Sequence, residues 1–135
     1  MWAEKKEDVV RAFMTKGVLT VDENDTVLEA ARLMAELDIG SLIVVRDGVP
    51  VGILTERDIL SKVVAEERSA KSLKISEVMS SPVISVQADR TVSEALTLMG
   101  QKGIKHLVVK DGSDVVGMFS LANVVDLEKY RLGIV

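Results

Sequence analysis

The chain lacks several residue types, and these absences narrow its chemistry. Cysteine is absent, which excludes disulfide bonds and thiolate metal sites. A single histidine gives a transition-metal site little support. The aromatic residues are one Trp, one Tyr and two Phe, so the core must be built from aliphatic residues and methionine.

Long apolar runs and dense basic clusters are missing as well. No stretch approaches the roughly 18 apolar residues of a membrane span, and the N-terminal MWAEKKEDVV is charged where a signal peptide is apolar. The net charge of −4 without a Lys/Arg cluster argues against a nucleic-acid surface. With 47% apolar and 28% charged residues in 135, we expect a globular, soluble, cytoplasmic protein of one domain or two half-sized units.

The sequence repeats itself at a separation of 65 residues. The positions that are identical 65 residues later include Met14, Val18, Val21, Thr26, Val27, Glu29, Ala30, Leu33, Met34, Ile39, Leu42, Val51 and Gly52. Polar and apolar positions match together across most of each half, which indicates a duplication. We place the first repeat, with an N-terminal helical segment, at 1–68, a connector at 69–74 and the second repeat at 75–135.

Each repeat has the pattern of a β-α-β-β-α unit. A strand near Val18–Val21 precedes a helix from about Thr26 to Leu37, and Thr26 with Glu29 forms a capping box that recurs 65 residues later. Two apolar runs around Asp47-Gly48 predict a hairpin; in the second copy the turn is expected to be one residue longer and the strand before it one residue shorter. The second helix of each repeat is expected at roughly 56–67 and 121–130.

The stretch GILTERDIL, from Gly52 to Leu60, has two explanations. Thr55-x-x-Asp58 is a capping box, a helix-start device of many proteins without a ligand. The same geometry suits a nucleotide, because a helix N-terminus favours phosphate and a carboxylate can accept from two neighbouring ribose hydroxyls. The residues alone leave both explanations open.

The order of these features, written twice over about Val9–Tyr130, resembles a tandem pair of cystathionine-β-synthase (CBS) domains, a Bateman module. The stretches that carry the resemblance are MTKGVLTVDENDTVLEAARLMAELDIGSLIVVRDGVPVGILTERDIL and the parallel run from MSSPVISV to GMFSLANVV. The resemblance implies an α+β fold of two β-α-β-β-α CBS repeats packed with pseudo-two-fold symmetry. It also implies a homodimer that binds an adenosine compound (AMP, ADP or ATP, with S-adenosylmethionine as a further candidate) in the clefts between repeats.

The resemblance also assigns site residues. The family motif G-h-x-[ST]-x-x-[DN] falls on Gly52, Thr55 and Asp58, and its second copy on Gly117, Ser120 and Asn123. In the family the acidic residue holds the ribose and the Ser/Thr meets phosphate. Because Asn123 lacks the charge of a carboxylate, we expect Asp58 to form the main site.

Further ligand contacts follow from the same resemblance. The first strand of one repeat is expected to line the pocket of the other repeat's motif, so that Val83, Ile84 and Ser85 serve Asp58, while Val18, Leu19 and Thr20 serve Ser120 and Asn123. Three basic residues, Arg57, Lys105 and His106, are candidate phosphate contacts. Their alternative roles are exposed surface charges for the first two and a solvated or singly hydrogen-bonded histidine for His106.

The expected function is that of a stand-alone, non-catalytic, energy-sensing regulatory module that acts on a separate partner protein. The main alternative is a ligand-free structural or interaction module that serves dimerisation. A small nucleotide-hydrolysing enzyme is a third hypothesis, which the absence of a P-loop and of a Ser/His/Asp arrangement disfavours.

Overall fold

A computed structural model describes residues 8–133, apart from the side chain of Asp126. Trp2 and the start of the N-terminal helical segment lie outside the described residues. The chain forms two compact units. The first unit is Leu19–Val83; the second unit comprises the residues from Ile84 onward together with those up to Val18.

Each unit is built on a three-stranded sheet flanked by helices. In chain order the elements are α1 (Val10–Phe13), β1 (Thr20–Asp22), α2 (Val27–Leu37), β2 (Ser41–Arg46), β3 (Val49–Thr55), α3 (Glu56–Ile59, continued by a π-helical turn, Leu60–Val64), two 3₁₀ turns (Ala70–Ser72 and Ile75–Glu77), β4 (Ser85–Gln87), α4 (Val92–Lys102), β5 (His106–Asp111), β6 (Asp114–Ser120) and α5 (Leu121–Leu132). The predicted α+β class and the duplicated β-α-β-β-α order are confirmed.

The two sheets have the same topology. The strand order is β1-β2-β3 in the first unit and β4-β5-β6 in the second. In each sheet the first strand pairs parallel with the second, and the second pairs antiparallel with the third. The hairpin therefore delivers the last strand, and the motif at its end, to a fixed place beside the middle strand.

The capping boxes begin the long helices where the sequence predicts them. Thr26 Oγ1 accepts from the Glu29 N–H at 3.1 Å, while the Glu29 carboxylate accepts from the Thr26 N–H at 3.2 Å. Thr91 and Glu94 repeat both bonds at 3.1 Å. These hydrogen bonds to the ionised carboxylate hold the pKa of Glu29 and of Glu94 below its usual value.

Several element boundaries differ from the sequence-based prediction. The helix that follows β3 ends at Val64 rather than near 67, and α5 continues to Leu132. The prediction of a longer turn in the second hairpin is wrong, because both hairpin turns have two residues. In the second hairpin Asp111 pairs with Asp114 inside the ladder, and Gly112-Ser113 makes the turn. Cross-strand pairing overrides the local Asp-Gly signal there.

Each unit has its own apolar core. A residue from outside the unit's β-α-β-β-α stretch also contributes to each core. Ile75 is fully buried in the first unit, and Val10, 65 residues earlier, is fully buried in the second. The Ile75 N–H donates to the Asp25 carbonyl and the Val10 N–H to the Arg90 carbonyl, both at 2.8 Å. Each repeat is thus completed by residues that lie outside its own β-α-β-β-α stretch. Within residues 8–133, no helix is long and apolar enough to cross a membrane.

Candidate functional site

The first motif site lies at the junction of β3 and α3. Thr55 ends the strand with an extended backbone and caps the helix, because its hydroxyl accepts from the Asp58 N–H at 3.1 Å. Asp58 Oδ2 accepts in return from the Thr55 N–H and the Thr55 hydroxyl, both at 3.0 Å. The capping box that the sequence predicts is therefore formed, and it fixes the position of the carboxylate.

Two further residues complete this site from other elements. The Ser80 hydroxyl donates to Asp58 Oδ1 at 2.9 Å, and Lys62 Nζ lies 3.0 Å from the same oxygen. Lys62 also donates to the Val78 carbonyl at 2.9 Å. Asp58 itself is only 6% exposed, although Ser80 is exposed and Lys62 half-exposed. We call Thr55, Asp58, Lys62 and Ser80 the Asp58 site.

Gly52 allows the segment that carries Ser80 to approach β3. Ile53 and Ser80 exchange two backbone hydrogen bonds of 3.0 and 2.9 Å. A Cβ atom on Gly52 would lie 3.0 Å from the Ser80 carbonyl oxygen and would overlap Met79 Sδ. The motif glycine therefore serves close packing of backbone against backbone.

The second motif site repeats this geometry with neutral groups. Asn123 Oδ1 accepts from the Ser120 N–H at 2.8 Å and from the Ser120 hydroxyl at 3.3 Å. Asn123 Nδ2 donates to the Thr15 hydroxyl at 3.3 Å, and Asn123 is 7% exposed. Thr15 stands 65 residues before Ser80 and is paired with Met118 as Ser80 is with Ile53. We call Thr15, Ser120 and Asn123 the Asn123 site.

The two sites differ in charge at one more position. Lys62, the ion-pair partner of Asp58, has Leu127 as its counterpart 65 residues later, and Leu127 is buried in the core of the second unit. An Asp–Lys ion pair in one site thus corresponds to an Asn and a Leu in the other. The site that has no carboxylate therefore has no cation at the matching position either.

The structure places the three basic candidates differently. Arg57 and Lys105 are exposed, and the Lys105 carbonyl accepts from the Leu121 N–H at 3.3 Å. His106 is half-buried and lies directly opposite Ser120 in the β5–β6 ladder, so it is next to the Asn123 site. Phosphate contact by these residues stays a prediction.

The strands expected to line the pockets are only partly strands. Thr20 begins β1 and pairs with Ile43, and Ser85 begins β4 and pairs with Val108. The residues just before them belong to no strand. Leu19 and Ile84 each offer a carbonyl to the middle strand at 3.0 Å, and Val18 and Val83 are half-buried. Their contact with a ligand stays a prediction.

Sequence reasoning missed Ser80, Thr15 and Lys62. The repeat alignment contained a signal for the first two, because a small hydroxyl residue follows the matched Met14 and Met79 in both copies. Lys62 shows no periodic or motif signal. It reaches Asp58 from one helical turn later, as an i, i+4 pair.

A separate groove of about 600 Å³ lies on the second unit. It is lined by Ser85, Val86, Gln87, Arg90, Ser93, Glu94, Thr97, Leu98 and Gln101. Arg90 and Glu94, four residues apart at the start of α4, form an ion pair of 3.1 Å within this lining. Ser85 is a candidate ligand residue, but neither Asp58 nor Asn123 lines this groove.

One other polar group of the first unit is largely buried. Glu23, 9% exposed, accepts two hydrogen bonds from the Arg46 guanidinium. This bonding holds the pKa of Glu23 below its usual value. Across residues 8–133, no group of three or more His, Asp or Glu side chains is arranged to hold a metal ion.

Comparisons with known proteins identify the family. The sequence model of the CBS domain matches twice, at residues 10–65 and 75–130. The CBS domain-containing protein YhcV of Bacillus subtilis is 37% identical over 114 residues, which cover 84% of this chain and 81% of that protein. Several other relatives are longer proteins, of which the chain spans between 21% and 60%.

Solved structures agree with the sequence matches. A protein with CBS domains from Burkholderia ambifaria has a TM-score of 0.74 at 38% identity, covering 84% of this chain and 83% of that one. The hexameric CBS-CP12 protein from bloom-forming cyanobacteria has a TM-score of 0.84 at 28% identity, covering 93% of this chain and 74% of that one. The chain therefore belongs to the CBS-domain family, and it carries two CBS domains in tandem.

Proposed function

We propose that this CBS pair binds an adenine nucleotide, AMP, ADP or ATP, and acts as a ligand-sensing module for a separate partner protein. CBS-domain proteins of the regulatory, signal-transduction type are its relatives. The observation that carries the proposal is the Asp58 carboxylate, held at the start of a helix under an exposed hydroxyl and a half-exposed ammonium group. A carboxylate so placed suits the paired hydroxyls of a ribose.

The neighbouring groups suit the rest of a nucleotide. Thr55 supplies a hydroxyl beside the carboxylate, and Arg57 adds an exposed cation in the first turn of the helix. A sugar and a phosphate could therefore be bound by adjacent residues of one segment. The Asn123 site offers the same arrangement with a weaker acceptor, so it ranks second.

Regulation would follow from a shift between populations. A ligand that binds one arrangement of the protein better than another raises the population of that arrangement, and a partner protein can recognise the difference. The sequence contains neither a P-loop nor a Ser/His/Asp arrangement, so we expect no turnover of ATP.

Ligand-dependent thermal unfolding tests the proposal directly. A ligand that binds only the folded protein stabilises it by about 2.7 kcal/mol at a hundredfold excess over Kd. We expect AMP, ADP or ATP to raise the melting temperature, with S-adenosylmethionine and inosine monophosphate run in parallel for selectivity. If none of the adenosine compounds shifts the midpoint at millimolar concentration, the proposed function is wrong.

A specific observation favours a second candidate, an interaction module that forms homodimers. The outward side of α5 exposes Leu121, Val125 and Leu132 at helical spacing, and Leu60 and Val64 are exposed on the helix that follows β3. Apolar helix surfaces of this kind are common at protein interfaces. The two candidates are compatible, because a dimer can also bind nucleotides. If the protein is dimeric in solution and no adenosine compound changes its stability, the interaction module is the correct candidate.

A further inference from the structure

The Asp58 carboxylate already has a full set of partners. Oδ2 accepts two hydrogen bonds from Thr55, and Oδ1 accepts from Ser80 and contacts the Lys62 ammonium. An ionised carboxylate offers about four acceptor positions. A hydroxyl of an incoming ligand must therefore replace one of the groups that are present.

The four contacts are not equally easy to replace. The two bonds from Thr55 belong to the capping box, so their loss would disturb the start of the helix. The Ser80 backbone is held by hydrogen bonds to Ile53 in both directions, which keeps its short side chain beside Asp58. Lys62 is the exception: its ammonium contacts Asp58 and donates to the Val78 carbonyl, but it stands on a flexible stem and its side chain is 40% exposed.

Release of Lys62 also costs the least. A partly exposed ammonium regains hydration when it leaves its partner, and the incoming ligand hydroxyl takes over its contact with the buried carboxylate. The Asn123 site has no equivalent group, because Leu127 occupies the matching position. Lys62 is thus a feature of one site only.

Resting on the proposed function, we infer that Lys62 competes with the ligand for Asp58 Oδ1 and so determines the affinity of the Asp58 site. In the free protein Lys62 neutralises the buried carboxylate. On binding, a ribose hydroxyl takes its place at Oδ1, while Thr55 and Ser80 remain. Lys62 therefore stabilises the ligand-free state and lowers the affinity for the ligand.

Adenosine is the appropriate probe, since it carries no phosphate that Lys62 could attract. We expect Lys62→Met, measured by isothermal titration calorimetry on the full chain, to bind adenosine about fivefold more tightly than the wild type. Its melting temperature without ligand should fall, because Asp58 loses its counter-ion. Lys62→Gln, which keeps a donor but no charge, is the second variant and should also gain affinity.

Two controls assign the effect to this contact. Leu127→Met places the same new side chain at the matching position of the second unit without removing a charge, and it should not tighten adenosine binding. The double variant Asp58→Ala/Lys62→Met should lose the tightened component, because the carboxylate that the ligand gains is missing.

The possible outcomes separate this inference from the proposed function. If the wild type binds adenosine and neither Lys62 variant binds it more tightly, the competition by Lys62 is wrong and the proposed function stands. If the variants bind adenosine and the wild type does not, the competition is confirmed in its strongest form. If none of these proteins binds adenosine, the competition by Lys62 is wrong, and the melting test with AMP, ADP and ATP decides the proposed function separately.

Discussion

At the scale of single residues, the two motif sites share their geometry and differ in charge. Asp58 and Asn123 each cap a helix by accepting from the N–H three residues earlier, at 3.0 and 2.8 Å. Only Asp58 has an ionic partner. Hydrogen bonds to a charged acceptor contribute about 1.5–3 kcal/mol, against about 0.5–1.5 kcal/mol for a neutral one. The difference is large enough to order the two sites by affinity.

This difference predicts an unequal response to alanine. Asp58→Ala should weaken AMP binding tenfold or more, and Asn123→Ala only a few-fold, in an equilibrium titration at constant ionic strength. Both changes remove a helix-capping side chain, at a cost of about 1 kcal/mol each. The melting temperature without ligand must therefore be measured for both variants. Equal losses of affinity at matched stability would show that the ranking of the sites is wrong.

At the scale of elements, the sites depend on a short segment that pairs antiparallel with the last strand of each hairpin. Thr15 and Met118 exchange backbone hydrogen bonds of 2.8 and 3.0 Å, as Ser80 and Ile53 do in the first unit. The residue before each of these strand positions is a glycine. Its missing side chain leaves room for the paired segment, and that segment brings a hydroxyl to Asp58 or Asn123.

Because of this close pairing, Gly117→Ala should destabilise the protein more than Gly52→Ala. The added Cβ at Gly117 would lie 2.7 Å from the Thr15 carbonyl oxygen, whereas at Gly52 the severe overlap is with the flexible end of Met79. We expect a loss of about 1–3 kcal/mol for Gly117→Ala in urea unfolding, and less for Gly52→Ala. A neutral Gly117→Ala variant would contradict the close packing described above.

At the scale of the whole molecule, local signals were predictable and long-range ones were not. The capping boxes of α2 and α4 depend on residues three positions apart, so the sequence alone predicts them. The position of the second hairpin turn depends on pairing between β5 and β6, which overrides the local Asp-Gly signal. Ser80 and Lys62 were missed because their roles depend on which segment packs beside Asp58.

The division into units is a further long-range feature. The sequence-based boundaries assign the N-terminal segment to the first repeat, whereas the compact units group it with the second. Val10 lies in the core with Phe119 and Leu127, and its counterpart Ile75 lies in the core with Leu42 and Leu54. A repeat in the sequence is therefore not the same set of residues as a unit in the structure.

Hydrogen exchange can test whether these units also respond separately to mutation. Val10→Ala should speed amide exchange in β5, β6 and α5, while Ile75→Ala should do so in β2, β3 and α2, because each change opens a cavity in only one core. Replacement of a buried Ile by Ala costs about 2–5 kcal/mol, and the smaller Val should cost less. Exchange in the other unit should stay close to that of the wild type. If Val10→Ala instead loosens β2 and β3 as much as β5 and β6, the N-terminal segment does not stabilise the second unit specifically.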